Sequence, residues 1–385
     1  MAAPTVIEGQ TRTKGTQAVN ADRHVVDMQK KIYMLDSGQN PALRALTMRS
    51  ATVPVKSFEP KWLEDAPIPE TDVTTATSTD VDTTFDVAHG EYFKTGDLVR
   101  IPRTGEYVLV TSVSGDVATV TRGVAGTAAA LNNGETLHNL GLVDTEGDTS
   151  PAAKATVTQT LSNYTRILKT PVNLSRTLAQ VELYGGNERA RLRKNAGTKH
   201  ARLLELELFH GTKTQTVSGA EVRRTAGGLD HFVTSNILDA SGALSESELY
   251  EWLGTVYRNG VDGAVSSSRV LFASQELMNT ISMWGQNKLM TDSKRNAAYG
   301  FHVSTLLTPY GTLDIVYHPL LEDGYAGYGY VVDMSGIKIG QLQPTVLQTD
   351  IQDPDEDGYK DQYLSEQTYF VMNEEAHGII KGVTF

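Results

Sequence analysis

Apolar and polar positions change period several times along this chain, and each change marks an element. From Val25 to Ile32 the apolar residues have helical spacing, and the short helix they predict ends before Ser37-Gly38. The rest of residues 1–50 has no sustained pattern and reads as an arm that orders against a partner. Between 51 and 70, Pro54, Pro60, Pro67 and Pro69 exclude a long helix. That leaves extended chain bearing Val53, Val55, Phe58, Trp62 and Leu63. Residues 71–87 are rich in Thr and Asp, with β-branched residues alternating. Short strands at 98–101, 107–113 and 117–122 are separated by turns at Thr104-Gly105, Ser114-Gly115-Asp116 and Gly123 to Gly126. Their spacing predicts a small barrel or sandwich over 90–141, inserted into a longer extended arm. Strand character returns over 156–177.

A long helix follows, from Asn187 to about His210. Asn187 suits the N-cap, Glu188 the positive end of the helix dipole, and Gly211 a left-handed C′ position. At ~1.5 Å per residue the rod is ~36 Å long. Leu192, Ala196, Leu203 and Leu206 fall near one face. Arg189, Arg191, Arg193, Lys194, Lys199 and Arg202 make its front half basic. Gly197 costs ~1 kcal/mol against Ala in mid-helix, so packing must hold the helix there.

Downstream, Ser245 with Glu248 forms a capping box before Leu249, Trp252, Leu253, Val256 and Tyr257, and Asn259-Gly260 ends that helix. A strand at 269–273 precedes Ser274, which is placed to cap a helix carrying Leu277, Met278, Ile281 and Trp284. Further strands are expected at 313–317, 328–334, 337–342, 346–351 and 362–373. Helices flanking a mixed sheet imply a compact α/β region. There is no internal repeat at solenoid periods.

The charge adds a pattern to this order. The net charge is −12, which argues against a free nucleic-acid binder. Its sign alternates: residues 1–50 carry +3, 51–150 carry −10, 151–211 carry +6 and 212–385 carry −11. With 385 residues the chain is long enough for two or three domains. There is no cysteine, which excludes disulfides, thiolate metal sites and a cysteine nucleophile. No apolar run approaches the ~20 residues of a membrane span, and Met1 to Thr5 lacks the order of a secretion signal.

Catalytic patterns are missing too. The nine histidines, at 24, 89, 138, 200, 210, 231, 302, 318 and 377, form no zinc-protease motif. Solvated or hydrogen-bonded histidines are the better reading. No nucleophile elbow and no phosphate loop is present, and Gly324, Gly327 and Gly329 suit a tight turn before a strand. Asp353, Asp355 and Asp357, with Gly358, have the opening spacing of a calcium loop. The usual glutamate position is Leu364; Glu366 or Asp361 would have to substitute, so a solvated acidic turn ranks above a metal site.

Three segments carry a family resemblance. They are Ser162-Asn163-Tyr164-Thr165-Arg166-Ile167-Leu168 with Val172-Asn173-Leu174-Ser175-Arg176-Thr177; Gly227-Gly228-Leu229 with Phe232 and Asn236; and Glu366 to Val371 with Asn373 to Gly382. Together with Phe58-Glu59, Trp62 and Asp65 they resemble the major capsid protein of tailed bacteriophages, whose fold is shared with encapsulins and the herpesvirus capsid floor. The resemblance is good over 155–385 and weak over 20–90.

It implies an α+β capsid fold: an N-terminal arm (1–50), an extended loop (51–89, returning at 142–180), the inserted β domain (90–141), a peripheral domain with the spine helix (181–236), an axial domain (237–345) and C-terminal return strands of the peripheral domain (346–385). The function it implies is a non-enzymatic subunit that assembles as pentamers and hexamers into an icosahedral head around double-stranded DNA. An encapsulin-like compartment is the alternative. Expected partners are copies of the chain, a separate scaffolding protein (no long scaffolding segment precedes the arm), a portal, a decoration protein and weakly held DNA. No cofactor or membrane is expected. The expected locations are the virion and, during assembly, the host cytoplasm. Val53, Val55, Phe58, Trp62, Arg189, Arg191, Arg193 and Lys194 are the candidate subunit contacts.

Overall fold

The alternating positions between Leu98 and Arg122 fold as strands, with every second side chain of Tyr107–Val110 and Val117–Val120 directed into a core. In the computed structural model the described residues are 40–49, 51–144, 146–147, 153–181, 186–219, 221–261, 267–287, 305–322 and 324–385. The helix expected at 25–32, and most of the arm, lie outside them. The chain divides into two units, Trp62–Leu161 and the remainder.

The smaller unit is built on a six-stranded sheet in the order Thr71–Val73, Thr136–Leu142, Asp97–Arg100, Tyr107–Ser114, Val117–Ala125, Thr84–Asp86. All neighbours are antiparallel. The outer strands come from 71–87, expected as extended loop. There the β-branched alternation is recruited as sheet, so the β fold begins well before residue 90. Phe85, Val99, Ile101, Val108, Val110 and Leu137 form its core. Gly115 turns the Tyr107–Ser114 hairpin with φ +59°, a conformation glycine adopts without strain. Glu106 is fully buried, and Arg122 meets it with two bonds of 3.0 and 2.7 Å. A buried carboxylate is tolerable when matched in this way.

The larger unit contains a two-stranded hairpin, Thr214–Ser218 with Glu221–Thr225, and two larger sheets. A four-stranded sheet has the order Thr52–Pro54, Ile337–Gln348, Gly358–Val371, Arg166–Ser175. The strands expected at 337–342 and 346–351 are one strand, with register irregularities between Gln341 and Val346. A six-stranded mixed sheet has the order Ile237–Gly242, Gly378–Val383, Gly329–Val332, Ser268–Ala273, Gly311–Tyr317, Thr305–Thr308. The C-terminal residues therefore serve both sheets. Gly378–Val383 pairs within the sheet of the expected axial segment, not with the other return strands.

The helices Glu246–Arg258 and Gln275–Asn287 bury Leu249, Leu253, Val256, Leu277 and Ile281 against Leu271, Leu313 and Ile380. The Ser245–Glu248 capping box is present. Ser274 does not serve as expected: its hydroxyl accepts from the Gly327 N–H, while the Gln275 N–H donates to Glu322 at 2.6 Å. No helix among the described residues is long and apolar enough to cross a membrane.

Candidate functional site

The spine helix, Glu188–His210, organises the larger unit. Asn187 accepts from the Ala190 N–H and Glu188 sits in the first turn, as the capping signals require. Its buried stripe is Ala196, His200, Leu204 and Leu208, flanked by Glu205, Glu207 and Phe209. Leu192, Leu203 and Leu206 are only partly buried. A polar histidine and two glutamates lie on the inner side, which apolar periodicity could not reveal. Gly197 lets the Tyr363 ring close on the helix: a Cβ there would lie 3.1 Å from the tyrosine hydroxyl. Gly211 is not left-handed, having φ −61°. It is glycine because a Cβ would meet Glu207 O at 2.4 Å and Ala226 O at 2.5 Å. The Gly228 N–H donates to its carbonyl at 2.8 Å.

Polar ties from this helix reach every neighbouring element. His200 lies 2.9 Å from Thr170 Oγ1 and 2.8 Å from Ser365 Oγ, bridging two strands. Burial, with the nearby Arg166 charge, lowers its pKa. Glu205 accepts from the Ala42 and Leu43 N–H groups, each at 2.8 Å, so it caps the short helix Pro41–Met48 from a distance of 163 residues in sequence. His318 Nε2 lies 3.0 Å from the same carboxylate. Asp361 receives Arg189 at 2.9 Å and Arg193 at 2.8 Å, and these bonds hold its pKa far below the usual carboxylate range.

The three sequence segments that carry the resemblance meet at one residue. Asn163 is fully buried. Its Nδ2 donates to Gly227 O at 2.9 Å and Tyr369 O at 2.8 Å, and its Oδ1 accepts from the Gly227 N–H at 2.8 Å. Beside it, the Thr165 hydroxyl donates to Glu366 at 2.9 Å. The Tyr369 hydroxyl donates to Leu204 O on the spine helix at 2.8 Å. An asparagine side chain supplies both donors and acceptor in one rigid plane, so it satisfies three buried backbone groups at once.

The candidate contact residues fall into two sets. Arg189 and Arg193 are committed within the chain to Asp361, and Arg189 also to Asp350 at 2.7 Å. Arg191 pairs with Glu188 one turn back, and Lys194 is exposed. Val53 and Val55 lie on an edge segment that pairs in parallel with Ile337–Gln348, and the Val55 N–H donates to Gln341 O at 2.9 Å. Their backbone is thus satisfied within the chain. Their side chains are not fully covered: Val53 is 37% and Phe58 47% exposed, and the Arg224 guanidinium lies over the Phe58 ring. The Trp62 indole donates to Glu64 at 2.9 Å.

The turn bearing Asp353, Asp355 and Asp357 is exposed, and Asp357 lies 3.6 Å from Arg176. Asp361 and Glu366, the possible substitute ligands, are engaged elsewhere in the fold. No group of three or more acidic or histidine side chains suited to a metal ion occurs among the described residues.

Sequence reasoning missed Glu205, Glu207, Arg269 and Asp333. Arg269 is fully buried and ion-paired with Asp333. None stands in a motif, and only the fold brings their partners close.

Comparison with known proteins places this architecture. The family model described as "SU10 major capsid protein" matches residues 8–384. No curated protein matches the chain. Among solved structures, the capsid of a native GTA particle is similar over 97% of this chain and 100% of its own, with TM-score 0.51 and 11% identity. The capsid asymmetric unit of cyanophage A-1(L) is similar over 63% of this chain and 85% of its own, with TM-score 0.50 and 11% identity. At such identities these likenesses establish the fold, while the family match runs through both units and all three segments that converge on Asn163. The chain belongs to the SU10 major capsid protein family and is a virion subunit that self-assembles into a capsid shell.

Proposed function

We propose that the subunit forms pentamers and hexamers that close an icosahedral head around double-stranded DNA, and that its role is structural rather than enzymatic. The observation that carries this reading is apolar surface left open on extended segments of a shell-forming chain. Phe58 is 47%, Leu63 68% and Val157 88% exposed. Burying such residues against neighbours contributes ~25 cal/mol per Å2. Each contact is weak, but many per subunit act together. Residues 51–89 and 142–180 are the proposed loop over a neighbour, with part of that stretch folded into the small β unit.

The division of the spine-helix charges sharpens the contact proposal. Arg189 and Arg193 position the helix on the strand Gly358–Val371, which leaves Arg191 and Lys194 as the residues facing an acidic surface of a neighbour, with DNA phosphate a weaker second partner. A scaffolding protein guiding assembly in the host cytoplasm, a portal and a decoration protein complete the proposed set of partners.

Electron microscopy of the overexpressed chain, with nucleic-acid staining of purified particles, tests this function. Closed shells with five- and six-fold capsomers, filled with DNA in the infected host, are expected. Particles that package an enzyme instead would support the encapsulin-like alternative. The double variant Arg191→Glu/Lys194→Glu should fold normally and lose shells; normal shells from it would remove the contact role.

A further inference from the structure

Beside the C-terminal end of the spine helix lies a cleft of about 410 Å3, lined by Arg166, Leu203, Leu206, Glu207, His210 and the root of the hairpin Thr214–Ser218/Glu221–Thr225. Two polar atoms sets here are unsatisfied. The Glu207 side chain is 2% exposed; the Arg166 guanidinium and the Ala226 N–H approach it, yet neither oxygen accepts a well-formed hydrogen bond. The Arg166 guanidinium stands 3.2 Å away as an ion pair. His210 turns its Nδ1 to Asp230 at 2.7 Å, which leaves Nε2 buried with no hydrogen-bond partner. The imidazole is pinned by stacking on Tyr325 at 3.6 Å. Burial raises the Glu207 pKa to about 7, as expected of a carboxylate short of donors.

These groups specify what fits. The Glu207 carboxylate needs N–H donors and His210 Nε2 a polar partner, while Arg166 has donors to spare. Above about pH 7, where Glu207 is ionised, the Arg166 and Glu207 charges cancel, so an entering ion would be left unmatched. A metal cation would also face the guanidinium. A neutral group offering both N–H and C=O, on a methylene stem that suits Leu203 and Leu206, satisfies all three. The volume far exceeds the ~30 Å3 share of one water.

We infer that this cleft receives a primary carboxamide, the side chain of a glutamine or asparagine from a second copy of the chain. The inference rests on the shell-forming function, since only in a shell is every subunit's surface met by an identical one.

Cryo-electron microscopy of wild-type shells tests it directly. A neighbour's Gln or Asn amide within hydrogen-bond distance of Glu207 is the expected result. Solvent alone, or a charged side chain, overturns the inference while leaving the shell function intact. Hydrogen exchange of full-length protein over residues 203–214 should slow at least about tenfold from free subunit to shell; equal rates count against it. The cleft-filling variant Leu206→Trp should melt as wild type and yield at least about tenfold fewer shells. Wild-type shell yield from a folded Leu206→Trp protein also overturns it. If that variant fails to fold, the wild-type density and exchange still decide. A wild-type chain that never forms shells defeats the shell function itself, and this inference with it.

Discussion

The two units bury charge in different ways. In the smaller unit the buried pairs join neighbours on one sheet: Glu106 meets Arg122, only 16 residues away. Its core draws only on residues between Phe85 and Leu137. The larger unit is tied across long stretches of chain. Glu205 caps a helix 163 residues earlier, Asn163 holds a carbonyl 206 residues later, and Asp361 collects arginines 168 and 172 residues before it. The smaller unit therefore has the contact pattern of an insert that folds from its own sequence. The larger one joins segments far apart in sequence, and polar junctions tie together the strands and helices that bury its two apolar clusters.

Breaking the main junction should have the largest effect. Asn163→Ala strands three buried backbone groups, each costing ~1–3 kcal/mol, so the larger unit should lose ~4 kcal/mol or fail to fold. Limited proteolysis should then digest it while 71–142 resists; resistance of both would refute the asymmetry. Ile101→Ala is the converse, costing ~3 kcal/mol by cavity formation in the smaller unit alone. Two-transition calorimetry should show one transition moving and the other fixed.

Asp361→Asn should cost ~2 kcal/mol at pH 7. Because the Asp361 pKa is lowered in the fold, its contribution is present above the ordinary carboxylate range and is lost as pH falls through it, so the variant should show a flatter acid-denaturation profile. Glu207 has the opposite sign. With its pKa raised to about 7, the folded state holds an extra proton between ~4.5 and 7, and stability falls as pH rises through that window. Glu207→Gln should therefore gain ~2 kcal/mol relative to wild type between pH 5 and pH 8 in urea titrations. No difference between the two pH values would count against the buried, donor-poor site.

Much of the fold was legible locally. The spine helix, the Ser245 capping box and the strands near 98–122 follow from spacing and caps within short windows. What stayed hidden depends on distance in sequence. The outer strands at Thr71–Val73 and Thr84–Asp86 have too few apolar residues to stand out until paired. Gly211 ends the spine helix, but glycine is required there by backbone crowding from Glu207, Ala226 and Gly228, not by a left-handed conformation. The basic residues of the spine helix looked alike in sequence. Only the return of Asp361 separates Arg189 and Arg193, which hold the fold together, from Arg191 and Lys194. Glu207 and His210 stand three apart on one helix, but nothing in the sequence says that both face a cleft.

The central claim is that the free subunit leaves apolar limbs uncovered and that copies of itself cover them. Sedimentation velocity of the full-length chain over a dilution series, alone and with the proposed scaffolding protein, tests this most directly. Capsomers and closed shells that grow with concentration are the result expected here. A compact monomer persisting at every concentration and in both settings would contradict it.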